Sequence, residues 1–160
     1  MSIGGPKQIA RLPLKGMLSA LGRDQAVVLC RLGRPERFPE GSLLFKEGQV
    51  SGSVALILSG AVKASSLRED GREIVFAVLG QGDVIGELSA LDGRPHSATA
   101  TVLEPAEVLQ IPADDFRAYV EAHPQMALLL LKILGDRLRD ADRKRVEFGD
   151  HEAASGSHSP

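Results

Sequence analysis

The sequence predicts a mainly β domain flanked by helices. Three observations carry that reading: short apolar runs recur through residues 34–111, glycine-bearing turns separate them, and the hydrophobic period lengthens after Pro112. Strands repeating every 8 to 12 residues or so between Gly-containing turns point to a sandwich, barrel or jelly roll. The clearest runs are Ser53–Leu58 and Glu73–Leu79, and the turn signals include Pro39-Glu40-Gly41, Glu47-Gly48, Ser59-Gly60, Gly80–Asp83 and Asp92-Gly93. Asp70-Gly71, set between two apolar runs, reads as a hairpin with a type I′ turn, which needs positive φ at both central residues.

Residues 1–33 form an expected N-terminal helical segment. Ser19 can cap a turn, Ala26, Val27, Leu29 and Cys30 supply an apolar face, and Gly33 stops it. Helices are expected again over 112–148. Pro112 in a first-turn position, with Asp114 and Asp115 behind it, marks a helix start; His123-Pro124 interrupts; a longer helix then runs to about Glu147. In that helix Ala127, Leu131, Leu134, Leu138, Ala141, Arg145 and Phe148 alternate four and three residues apart, the seam of a left-handed coiled coil. The seam predicts a homodimer through this helix, with Leu131, Leu134, Leu138, Ala141 and Arg145 at the interface. Lys132, Asp136, Arg137, Arg139, Asp140, Asp142, Arg143 and Lys144 read as a solvated mixed-charge face. Residues 149–160 are small and polar and are expected to be disordered.

Composition narrows the function. With 43% hydrophobic and 25% charged residues over 160 positions, the chain is ordinary globular protein. Lys+Arg number 19 against 21 Asp+Glu, which removes the electrostatic argument for a self-sufficient nucleic-acid binder. The single cysteine, Cys30, reads as a small core residue and rules out an internal disulfide. An apolar run such as Met126–Leu131, which no other run exceeds in length, is far short of the roughly 20 residues of a membrane span. With no secretory signal in view, a cytoplasmic chain without membrane contact is expected. Enzyme readings find little support. Gly80, Gly82 and Gly86 miss the dinucleotide fingerprint by one residue, and there is no P-loop, nucleophile elbow or His-Glu-x-x-His motif. His96 is the one histidine of the β region, so no metal is expected.

The informative segment is Gly80–Thr101, GQGDVIGELSALDGRPHSATAT. Gly86 lets backbone approach a ligand closely. A short helical turn from Glu87 to Ala90 would aim unpaired N–H groups at a negative group. The Glu87 carboxylate would repel a phosphate but accept from a ribose hydroxyl.

GDVIGELSALDGRPHSATA resembles the phosphate-binding cassette of cyclic nucleotide-binding domains, specifically those of the catabolite activator protein (Crp–Fnr) family of bacterial transcription regulators. Phe38-Pro39-Glu40-Gly41, Phe45-Lys46-Glu47-Gly48, Leu58–Lys63, Glu69–Arg72 and Phe116 support the resemblance, which covers about Leu12 to Phe148. It implies an eight-stranded jelly roll (a double-stranded β-helix) followed by a long dimerisation helix. It further implies a cyclic nucleotide effector, cyclic AMP favoured over cyclic GMP, and a sensory rather than catalytic role. Gly86 would shape the cassette and Glu87 take the ribose 2′-hydroxyl. The amides near Leu88 and Ser89, with Ser97 and the backbone at Ala98, would hold the phosphate. The position after Pro95, where the family carries an arginine for the phosphate, is His96, and Arg94 is the candidate substitute. The base-contacting positions correspond to Ala141 and Asp142, and Ala141 offers no side-chain hydrogen bond. Only twelve residues follow Phe148, too few for the family's helix-turn-helix domain, so no direct DNA binding by this chain is expected. The departures at His96 and Ala141 leave a second expectation open: an orphan module of the same fold that binds no nucleotide and works through a protein partner.

Overall fold

The computed structural model describes residues 16–50 and 52–155, with side chains as far as Asp140. Two short helices, α1 (Gly16–Leu21) and α2 (Arg23–Cys30), precede the strands β1 (Arg34–Phe38), β2 (Leu43–Phe45), β3 (Ser53–Leu67), β4 (Glu73–Leu79) and β5 (Val84–Ile85). A short helix α3 (Glu87–Asp92) follows, then β6 (Thr99–Pro112), α4 (Ala113–Ala122) and α5 (Pro124–Ser155). All pairings are antiparallel, in the order β1-β6-β3-β4, with β2 added to β6 and β5 to β3.

The resemblance implied eight strands, and six are present among the described residues. Two of them are long: β3 has 15 residues and β6 has 14. Their ladder shifts register around Ser59 to Val62, where Gly60 at φ +94° lies against Pro105 and Ala106. The two strands turn a corner there without breaking, so each counts once. A Cβ on Gly60 would sit 2.5 Å from the Pro105 carbonyl oxygen.

β3 explains why its sequence runs apolar without alternation. Val54, Leu56 and Leu58 face a core shared with α2, α4 and α5, built around Leu29, Phe116 and Met126. Ala55 and Ile57 face the other way, into the interior of the roll with Val62, Val102 and Val108. A strand covered on both faces has no polar side to show. β4 is the opposite case: it pairs only with β3 and leaves Val75, Phe76 and Val78 exposed.

Details of the sequence expectations shift. The β3–β4 connection is a hairpin, but Gly71 alone has positive φ, and its amide donates to the Arg68 carbonyl at 2.9 Å. The turn is therefore not type I′. Asp70 instead accepts from the Arg72 amide and guanidinium, an Asx-like closure that holds its carboxyl below the usual range. The Ser19 hydroxyl donates back to the Gly16 carbonyl rather than capping a new turn. Pro112 ends β6 and caps α4 from outside, with Asp114 and Asp115 in the first turn. The α5 backbone stays helical beyond Phe148 as far as Ser155, where Glu152, Ala153 and Ala154 are strong helix formers. Cys30 is buried, and burial pushes its thiol up to about 11.

Gly60→Ala is expected to destabilise the protein by roughly 2–4 kcal/mol, because it combines left-handed strain with a backbone clash. Guanidinium denaturation of the two proteins measures the difference.

Candidate functional site

Residues 86–98 fold into one compact unit. Gly86 at φ +93° starts α3, and Gly93 at φ +73° ends it. A Cβ on Gly86 would lie 3.3 Å from the Phe45 ring and 3.4 Å from His96 Cε1. Glycine is thus favoured by the left-handed dihedral, and a side chain there would press closely on the Phe45 and His96 rings.

Glu87 opens α3 and is only 4% exposed. Its Oε1 accepts from Arg137 Nη1 of α5 at 3.0 Å. Burial pushes the Glu87 carboxyl above its ordinary range, and Arg137 offsets part of that push. A buried carboxylate gains from such a partner because the alternative is an uncompensated charge. The pair ties the cassette to the long helix.

The remaining predicted residues separate into closed and open groups. The Ser89 hydroxyl is buried and donates to the Arg94 carbonyl, folding the loop back onto α3. The Arg94 amide donates to Asp92 Oδ1 at 2.9 Å, and its exposed guanidinium makes no bond among the described residues. Leu88 and Ser97 are exposed and Ala98 is half-buried. The amides of Glu87, Leu88 and Ser89 have no acceptor four residues back in the helix, while Ala90 donates to the Gly86 carbonyl.

His96 is not an exposed substitute for arginine. It is 6% exposed, its ring lies 3.7 Å from that of Phe45 with 10° between the planes, and its backbone is bonded to Gly48 and Gln49. Burial lowers its pKa, so the ring stays neutral near pH 7.

On α5 the expected seam is partly visible. Leu131 and Leu138 are 66% and 63% exposed, and Leu134 is half-buried. The side chains of Ala141 and Arg145 lie outside the described residues. Arg137, read from sequence as part of a solvated face, is instead turned inward. It continues the stripe Met126, Leu130, Ile133, whose alternating spacing of four and three residues could have located it. Arg117 is a second residue the sequence reading passed over. From α4 it donates to the Ala90 carbonyl at the end of α3. Among the described residues no cluster of His, Cys, Asp and Glu could hold a metal ion, and no helix is long and apolar enough to cross a membrane.

The cyclic nucleotide-binding domain profile matches residues 35–123. The chain is 30% identical over 133 residues to the CRP-like cAMP-activated global transcriptional regulator of Mycobacterium tuberculosis, covering 83% of this chain and 59% of that protein. It is 34% identical over 105 residues to the cyclic AMP receptor protein of Thermus thermophilus, covering 66% of this chain and 49% of that one. Among solved structures, the Thermus thermophilus catabolite activator protein is similar at a TM-score of 0.72 and 28% identity, over 86% of this chain and 64% of the other. The chain thus spans only about half to three-fifths of these curated relatives.

The depressed His96 pKa has a definite sign. Above the ordinary histidine pKa, both folded and unfolded chains carry it neutral. As pH falls below about 6.5, the unfolded chain takes a proton that the fold resists, and stability declines. His96→Phe keeps a stacking ring without a titrating nitrogen. Between pH 7.5 and 5.5, the wild type is expected to lose more stability than His96→Phe in denaturant titrations.

Proposed function

The chain belongs to the cyclic nucleotide-binding domain family, and from that premise we propose that it is the sensory and dimerisation domain of a Crp–Fnr-like transcription regulator. Its effector is a cyclic nucleotide, cyclic AMP ahead of cyclic GMP, and its partner is a second copy docked along α5. The observation that carries this reading is Glu87: a buried carboxylate on the first residue of α3, directly after a left-handed glycine.

A ribose hydroxyl donates to the Glu87 carboxylate, whose charge Arg137 continues to balance. The cyclic phosphate meets the first-turn amides around Leu88 and Ser89, the Ser97 hydroxyl and the backbone at Ala98. Neutral His96 supplies no charge. Replacing a charge-assisted bond forgoes roughly 1.5–3 kcal/mol, or about one to two decades of affinity. Among the described residues Arg94 is an exposed loop cation without a side-chain bond, and it is the candidate to recover part of it. The role is binding, not catalysis. Because the Glu87 oxygens are shared between ligand and Arg137, occupancy changes how α5 is anchored, which is the differential contact that allostery requires.

Specific observations favour a second reading, an orphan module acting through a protein partner. The His96–Phe45 stack fills space beside Gly86, the Ser89 hydroxyl is already satisfied, and β4 presents Val75, Phe76 and Val78 to solvent. Calorimetry with cyclic AMP and cyclic GMP separates the two. The sensor reading expects binding by the wild type, loss of it in Glu87→Ala, and affinity about tenfold tighter in His96→Arg. Heat-silent titrations of all three proteins with both ligands favour the orphan module.

The dimer is tested apart from the ligand. Leu131→Asp with Leu138→Asp is expected to convert a sedimenting dimer to monomer, while the helix content of the monomer stays near that of wild type.

A further inference from the structure

We propose that Arg117 is a positioning residue of the nucleotide cassette, holding the far end of α3 so that the cassette moves as one body with α4 and α5.

Helix α3 is only six residues long, so its last carbonyls have few partners within the helix. The Ser89 carbonyl accepts from the Gly93 amide at 3.0 Å. The Ala90 carbonyl is taken by Arg117, which donates to it from Nε at 3.2 Å and Nη2 at 2.8 Å. The remaining branch, Nη1, lies 3.3 Å from Asp114 Oδ1 on the same helix, which aims the guanidinium. A cation at this end of α3 also matches the negative pole of its aligned peptide dipoles. Arg117 itself is fixed by its neighbour, since Phe116 is fully buried in the core beneath the helices.

The opposite end of α3 is gripped by Arg137 through Glu87. One arginine stands on α4, the other on α5, and only His123 separates those two helices. The cassette helix is therefore clamped at both ends by a single α-helical unit. Ligand contact at Glu87 disturbs one clamp, and Arg117 then decides whether α3 pivots or carries α4 with it. A lysine keeps the charge but cannot present two donors to one oxygen in this planar geometry.

Hydrogen exchange on the ligand-free protein tests the clamp, and calorimetry with cyclic AMP tests its consequence. In Arg117→Ala, amides 90–94 are expected to exchange roughly tenfold faster, with β3 and β6 unchanged, and Arg117→Lys to restore part of the protection. Affinity for cyclic AMP is expected to fall at least about fivefold in Arg117→Ala. Unchanged exchange at 90–94, or faster exchange spread evenly over β3 and β6, overturns the proposal. So does a loosened cassette in which cyclic AMP binds as tightly as in wild type. The affinity arm rests on the nucleotide reading. If the wild type binds no cyclic nucleotide, that reading fails by itself, and the exchange arm still decides whether Arg117 fixes the cassette.

Discussion

A carboxylate shut away from water needs a countercharge, and this constraint organises the molecule. Glu87 finds its partner not within the β roll but on α5, fifty residues onward in the chain. The Arg137 side chain keeps 31% exposure while Glu87 keeps 5%, so the arginine reaches in from the rim and its stem lies along the packed face of the helix. Removing Arg137 leaves the buried Glu87 carboxylate without a countercharge, a larger penalty than the pair's net contribution. The long helix is thus fastened to the β roll by charge as well as by Met126 and Leu130.

The sequence shows the architecture more readily than the site. Strands and turns were legible where they are local: apolar runs are bounded by glycines whose dihedrals other residues resist, as at Gly82 and Gly86, whereas β3 runs on through the Ser59-Gly60 turn signal. The corner between β3 and β6 was not, since a register shift depends on what two strands do to each other. The Asp70-Gly71 turn shows the limit of a dipeptide signal. The hairpin is present, but the longer loop lets Asp70 stay in ordinary dihedral space and work through its side chain.

For the cassette, residue identities were legible and their surroundings were not. His96 stands in sequence as an altered ligand residue. What sets its chemistry is burial, in a place where Phe45, about fifty residues earlier, stacks on it beside the pairing of β2 with β6. A stacked ring, buried against Phe45 and held uncharged, occupies that position in this structure. Arg137 was misread for a related reason. A charged residue among charged neighbours looks solvated until the helix is turned so that its other stripe, through Leu130 and Ile133, faces the core.

The double burial of β3 has one more consequence. Val54, Leu56 and Leu58 belong to the core under the helices, while Ala55 and Ile57, interleaved with them, belong to the core inside the roll. Neither layer owns that strand, so the helices cannot peel away without baring the spine on which the sheet hangs. Melting one half undoes the other, and heat or denaturant meets a single cooperative object rather than a β shell with detachable helices.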